Sequence, residues 1–244
     1  MRYSDTGEKF KENVNQTGFI RDDDMRELDS DLSYYFWPQS SPLKYVFLES
    51  RNNIFWSHAG ILRSWYVTET ARFYLKNRFS IQLSYNDEFK LYEKKYYNHQ
   101  NQVQIGNNTD EWQAVKAGYT WGLNFDRDFE LYSFSIQRRF FERLALGYDF
   151  QSITFVPDAT DHSSTLHILS IDYNVTRDLW FRVFTQTSSR ENRLYVYGLF
   201  GWRFFPPFSS LYIIYTTDRF DELTYLEQRK SDILFLKLSY QFGI

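Results

Sequence analysis

The side chains of this sequence that could do chemistry are four histidines, a run of three aspartates and several adjacent carboxylate pairs. His162 and His167 stand five apart, an odd offset that puts them on opposite faces of a strand. His58, His99 and His162 fall in expected loops, and no regular element aims them at a shared metal. Asp22, Asp23 and Asp24 offer oxygen ligands to a hard cation. They lack EF-hand spacing and a bracketing glycine, so a solvated loop paired with Arg21 and Arg26 is expected instead. Asp87/Glu88 and Asp221/Glu222 invite comparison with the two carboxyls of a glycosidase. Neighbours on a strand point to opposite faces, however, so such a pair does not converge on one bond. No Gly-x-Ser-x-Gly, His-Glu-x-x-His or phosphate-binding loop occurs. The chain has no cysteine, which removes disulfides, thiolate metal sites and cysteine nucleophiles together. The expectation is a non-enzymatic chain with no catalytic residue, no metal and no cofactor.

What must position these residues follows from composition. The 244 residues carry 28 Lys+Arg against 31 Asp+Glu, a net charge of −3. Aromatic residues make up 21%, yet mean hydropathy is −0.56. No stretch approaches the roughly 18–20 apolar residues of a transmembrane helix. Disordered chains are poor in rings, so disorder is excluded. A near-neutral balance lacks the basic footprint of a nucleic-acid binder. Met1-Arg2-Tyr3-Ser4-Asp5 opens without the apolar region of a signal peptide. An aromatic soluble β-protein and a transmembrane β-barrel remain.

Alternation decides between them. In Phe79-Ser80-Ile81-Gln82-Leu83-Ser84-Tyr85-Asn86, odd positions are apolar and even ones polar. Tyr132 to Gln137, Leu144 to Gln151 and Leu169 to Val175 repeat the pattern. The last strand puts Leu234, Leu236, Leu238, Tyr240, Phe242 and Ile244 on one face, with Lys237, Ser239 and Gln241 on the other. Strands of about 9–14 residues suit a tilted crossing of a bilayer, which needs about 9–11. Rings cluster at strand ends, in Tyr34-Tyr35-Phe36-Trp37, Phe140-Phe141 and Trp202 with Phe204-Phe205, as in an interfacial girdle. The expected fold is therefore an all-β, antiparallel transmembrane β-barrel in the bacterial outer membrane, with about 12–14 strands in this chain.

Connections offer an independent test, since such barrels alternate short periplasmic turns with longer external loops. Counted back from Ile244, external connections are expected near Thr217–Ser231, Thr187–Asn192, Val156–Ser164, Asn124–Asp128 and Ser57–Gly60. Short inner turns are expected at Pro206-Pro207, Thr176–Asp178, Phe141–Arg143, Leu75–Asn77 and Pro38–Pro42. Parity holds only if residues 92–111 hide a short strand near Gln100–Ile105, followed by a turn at Gly106-Asn107-Asn108. The count is then about 13 strands, with residues 1–29 an external loop or extension (Met1 to Ser4 being the stub of an ascending strand and 5–29 the loop) and residues 30–244 the barrel strands. Its first strand, near Leu32-Tyr34-Phe36, runs inward from outside. An open edge cannot stand in hydrocarbon, so the chain is expected to be the C-terminal part of a larger barrel. The alternative is a self-closing barrel of about 12 strands.

In that barrel Ser80, Gln82, Ser84, Asn86 and Glu88 line the lumen from one strand. Asp172, Asn174, Arg182, Gln186, Lys237 and Gln241 line it from others. Both signs of charge suit a hydrated or plugged interior. Leu238, Tyr240, Phe242 and Ile244 form the kind of terminal strand that outer-membrane assembly machinery reads. Membrane lipid and that machinery are the expected partners.

Two segments also resemble a known family. One runs Asp5-Thr6-Gly7-Glu8-Lys9-Phe10, Thr17-Gly18-Phe19-Ile20-Arg21, an acidic run and Ser33-Tyr34-Tyr35-Phe36-Trp37-Pro38. The other is Pro207-Phe208-Ser209-Ser210-Leu211-Tyr212-Ile213-Ile214-Tyr215 with Ile233-Leu234-Phe235-Leu236-Lys237-Leu238-Ser239-Tyr240-Gln241-Phe242. Their order resembles the barrel domain of a Bacteroidota outer-membrane family of unknown function. Longer members carry an N-terminal sandwich similar to family 9 carbohydrate-binding modules, which nothing in this chain matches. The resemblance implies a conduit or anchor, with glycans as partners only through that absent module. A barrel component of an export or surface-assembly system is the alternative, and a hydrolase with a loop-borne site is a third reading.

Overall fold

The computed structural model describes residues 1–7, 24–157, 163–190, 192–222 and 227–241. It is all-β, with fourteen antiparallel strands hydrogen-bonded in chain order in one sheet. The strands are β1 Arg2–Thr6, β2 Met25–Phe36, β3 Leu43–Trp56, β4 Leu62–Leu75, β5 Phe79–Leu91, β6 Lys95–Asn107 and β7 Val115–Asn124. They continue as β8 Arg127–Phe140, β9 Leu144–Val156, β10 Ser164–Asn174, β11 Leu179–Ser188, β12 Arg193–Phe205, β13 Ser209–Glu222 and β14 Glu227–Ser239. Two units are distinguished by their internal contacts. The first comprises Met1–Ile105, Tyr119–Glu130 and Phe155–Ala159; the second comprises Gly106–Gly118, Leu131–Thr154 and Thr160–Ile244.

Register sorts the side chains of each unit onto two faces, because directly paired residues share a face. In the first unit, Tyr34, Leu48, Ala71 and Leu83 form one row and Phe36, Val46, Phe73 and Ile81 the next. The opposite face carries Asp31, Arg51, Thr68 and Asn86 in one row and Ser33, Glu49, Thr70 and Ser84 in another. In the second unit, Tyr173, Phe181, Phe200, Ile213 and Leu236 share a row. Its opposite face is mixed: Asp172, Arg182, Leu199, Ile214 and Phe235 in one row, Asn174, Trp180, Gly201, Tyr212 and Lys237 in another.

Burial runs against the habit of water-soluble proteins. Among the described residues, the buried hydrophobic side chains are Tyr45, Tyr74, Phe89, Ala114 and Phe129. Leu32, Leu234 and Leu238 are exposed at 73%, 72% and 63%. On β5 the apolar Ile81, Leu83 and Tyr85 are exposed, while the polar Ser80 between Phe79 and Ile81 is buried.

Three boundaries differ from the sequence reading. β2 begins at Met25, so strand reaches into the stretch expected as an external loop, and it pairs with β1 (Arg2–Thr6), where a strand stub was expected at Met1 to Ser4. Here both faces carry charge, which hides the alternation, and Asn53 on β3 ties Glu27 and Asp29 of β2 into the ladder. The expected loop Thr217–Ser231 is mostly strand, with Asp218 paired to Ser231, Arg219 to Lys230 and Phe220 to Arg229. Bidentate bonds from Arg193 to Asp218, at 2.9 and 2.7 Å, fasten that polar extension to β12. The strand inferred from parity alone is present, and as β6 it is longer than expected.

Among the described residues, two turns place consecutive bulky residues in the left-handed region: Phe141 and Glu142, at φ 51° and 56° between β8 and β9, and the turn between β7 and β8. β7 and β8 are joined by Phe125 and Asp126, both left-handed at φ 50° and 61°. A two-residue turn of this kind favours Asn-Gly because a bulky side chain is strained there. Its neighbours hold it. The Phe125 N–H donates to Asn98 Oδ1 at 2.8 Å, its ring meets Tyr96 edge-on at 4.9 Å, and Lys94 pairs with Asp126.

Candidate functional site

The first unit's polar face is a network of side chains that satisfy one another. Arg72 donates twice to Gln82 Oε1, at 3.0 and 2.7 Å. Gln82 Nε2 donates in turn to Ser84 Oγ at 3.3 Å, and the Thr70 and Ser84 hydroxyls lie 3.2 Å apart. Thr68 donates to Asn86 at 2.7 Å. Glu88 receives Asn98 at 3.0 Å and Lys90 at 2.7 Å. Ser80, Gln82, Ser84, Asn86 and Glu88 thus share one face, as β5 alternation dictates. On β3, Arg51 adds bonds to Glu49 at 2.7 Å and to Asp31 at 3.5 Å.

The second unit's mixed face brings together Asp172, Asn174, Arg182, Gln186 and Lys237. Arg182 Nε donates to Asp172 at 2.9 Å, with both side chains half-exposed. Gln241 lies beyond β14, where its backbone N–H donates to Ser209 Oγ at 3.2 Å. A cavity of about 560 Å³ opens beside the Asp172–Arg182 pair. Its lining adds Trp112, Arg139, Glu142, Arg143, Ser170, Phe184 and Tyr197. Ala145 and Ser170 are small and leave the space; Phe184 and Tyr197 wall it. Arg139 lies over the Trp112 ring at 5.4 Å, and its backbone N–H donates to Gln113 Oε1 at 3.1 Å. Arg143 donates to the Val175 carbonyl at 3.3 Å. Aromatic faces, hydroxyl and amide groups and three guanidinium groups therefore converge on one space.

Among the described residues, the apolar faces bring together few polar groups. On the first unit a cavity of about 720 Å³ is walled by Leu32, Tyr34, Leu48, Leu83, Tyr85 and Trp121. Glu69 reaches it and accepts a bond from Ser50 Oγ at 2.8 Å. On the second unit Leu238 pairs with Leu211 and is exposed. Tyr240 stacks on Phe204 at 6.3 Å, while Phe242 and Ile244 lie outside the described residues.

Among the described residues, the histidines do not gather. His99 lies on β6, beside Gly122: a Cβ there would come within 1.9 Å of the His99 carbonyl oxygen. His167 Nδ1 meets the Tyr148 hydroxyl at 2.8 Å, and His162 lies outside the described residues. His58 sits between two carboxylates, with Nδ1 2.8 Å from Asp24 and Nε2 2.8 Å from Asp5. Arg63 and the His58 backbone N–H also bond Asp24, at 3.1 and 2.7 Å. The expected pairing of Asp24 with Arg26 gives way to these contacts, because Arg26 turns to Asp5 at 3.3 Å. Arg21, Asp22 and Asp23 lie outside the described residues. With acceptors at both ring nitrogens, the imidazolium is favoured and the pKa of His58 is raised, chiefly by its bond to Asp24. Asp24 is pulled down, mainly by the His58 backbone N–H.

Of the carboxylate pairs, Asp87 and Glu88 point to opposite faces, opposite Val67 and Tyr66. Asp221 accepts a bond from Asn192 at 2.8 Å. Sequence reading missed Trp112, Arg139, Arg143, Phe184 and Tyr197. The available signal was a basic cluster, Arg138, Arg139 and Arg143, bracketing a short turn. Compared with known protein families, curated proteins and solved structures, the chain matches none.

Proposed function

We propose that the chain forms the wall of a bacterial outer-membrane β-barrel, acting as a conduit or membrane anchor. One observation carries the reading: large apolar side chains alternate along the strands on an exposed face, while hydrogen-bonded polar groups occupy the other in the first unit. In water this inverts the usual economy, since burying a Leu- or Phe-sized side chain is worth about 1.5–3 kcal/mol. Hydrocarbon against that face removes the mismatch, and antiparallel strands with paired backbones suit such a solvent. Tyr34, Tyr35, Phe36 and Trp37, at and just beyond the end of β2, fit an interfacial girdle. Exposed Leu234, Leu236 and Leu238, alternating along β14, suit a strand read by assembly machinery. We also retain the likeness to the Bacteroidota family as a proposal, with glycans reaching the protein through a separate N-terminal module. No catalytic role is proposed.

The test is reconstitution of the full chain into vesicles, some containing lipids brominated at mid-chain. Co-flotation with vesicles and quenching of tryptophan fluorescence are expected, Trp65 and Trp202 lying on the apolar faces. A chain that stays monodisperse in detergent-free buffer and neither floats nor is quenched sinks the reading. Conductance in planar bilayers then separates conduit from anchor.

A further inference from the structure

We infer that the cavity beside Asp172 and Arg182 binds a hydroxylated ring anion, that is, a sugar acid or sugar phosphate. The charge pattern is the first reason. Among the described residues, Arg182 is paired with Asp172, whereas Arg139 and Arg143 have no carboxylate partner. Two guanidinium groups facing one cavity repel each other until an anion joins them. Their posture is the second reason. Arg139 lies over the Trp112 ring at 5.4 Å and, among the described residues, its guanidinium makes no hydrogen bond, so its N–H groups can take a carboxylate or phosphate. Arg143 is fixed by a single bond to the Val175 carbonyl and keeps other donors. The rest of the lining selects the body of the ligand. Phe184 and Tyr197 offer ring surfaces, and Glu142, Asp172 and Asn174 accept bonds from hydroxyl groups. The two carboxylates also oppose a bare anion, so hydroxyl donors are part of the fit. A volume of about 560 Å³ holds one such ring.

Titration calorimetry of the detergent-solubilised full chain tests this with glucuronate, glucose 6-phosphate, glucose and inorganic phosphate. The first two, one from each source of negative charge, are expected to bind at least about tenfold more tightly than the last two. The double variant Arg139→Gln/Arg143→Gln is expected to lose about tenfold or more toward both ring anions, with neutral glucose unaffected. Should the double variant fail to fold, Arg139→Gln alone gives the same readout, its side chain being exposed. Unchanged binding in the variant overturns the proposal. So does inorganic phosphate binding as tightly as the ring anions, or no binding by either ring anion at about 10 mM. The inference does not need the membrane reading: binding without flotation removes that reading and leaves this one.

Discussion

The polar face of the first unit and the mixed face of the second are built on different physics. On the first, groups answer one another across the strands: Arg72 with Gln82, Thr68 with Asn86, Asn98 with Glu88. On the second, rings and small residues set the shape. Trp180 lies against Gly201, Tyr212 meets it edge-on at 5.9 Å and Arg203 covers it at 5.7 Å. Polar groups that have spent their bonds on each other have little left for a ligand. Arg139, set over Trp112, and Arg143, bonded to the Val175 carbonyl, keep theirs. That is why the candidate site is read in the second unit, although the first is richer in polar side chains.

The largest effect should come from breaking shape in the second unit. A Cβ on Gly201 would sit 2.3 Å from Trp180 Cε2, with the indole already confined by Tyr212 and Arg203. Gly201→Ala is expected to destabilise by about 2–3 kcal/mol, in the range of an overpacked core. Gly198→Ala, on the opposite face with its nearest atom at 4.0 Å, should change stability by no more than about 0.5 kcal/mol. Denaturant midpoints in micelles measure both. Equal shifts for the two glycines would end the claim that shape holds this face.

A smaller effect should come from breaking a bond in the first unit. Asn53 Nδ2 donates to Glu27 at 2.7 Å and to Asp29 at 2.6 Å, so one amide separates two carboxylates. Asn53→Ala is expected to cost about 1.5–2 kcal/mol, the scale of hydrogen bonds to charged groups. High salt should recover part of the loss by screening the exposed repulsion. A loss that salt leaves untouched would mean the site is held by packing, as in the second unit.

This contrast also governs what could be read in the sequence. Strand class, a strand number of about 12–14 and the shared face of Ser80, Gln82, Ser84, Asn86 and Glu88 were legible, because β5 alternates cleanly from Phe79 to Asn86. The early part of β2 and all of β6 were not. In Met25–Asp31 and Lys95–Gln104 polar residues occupy both faces, and only the pairing partner supplies the reason for a strand. β6 was recovered through connection parity, a global constraint. The cavity in the second unit was hidden for another reason. Its arginines and Trp112 come from strand ends and turns far apart in sequence, and the space between them arises from Ala145 and Ser170, which carry no chemical signature.

The smallest effect should be local and should distinguish the units by pH. His58 binds a carboxylate through each ring nitrogen, so both nitrogens must donate and the ring must be charged. Its pKa is raised above the ordinary 6.5, so its contribution is complete below that value and fades as pH climbs through the higher folded pKa. Asp24 is lowered from 3.8, so its contribution is complete above that value and fades only as pH falls through the lower folded pKa. The clamp joining the His58 turn to Asp24 and to Asp5 of β1 is therefore firmest between 3.8 and 6.5. Hydrogen exchange, corrected for its intrinsic pH dependence, should show β1 amides losing protection only as pH rises above about 6.5. His58→Gln should abolish that dependence, since a glutamine amide does not titrate. Amides of β12 and β13 should show no such change, because rings and glycines do not titrate. Protection of β1 that stays constant in the parent would separate the clamp from the first unit's stability. A matching loss in β12 would erase the difference between the two faces.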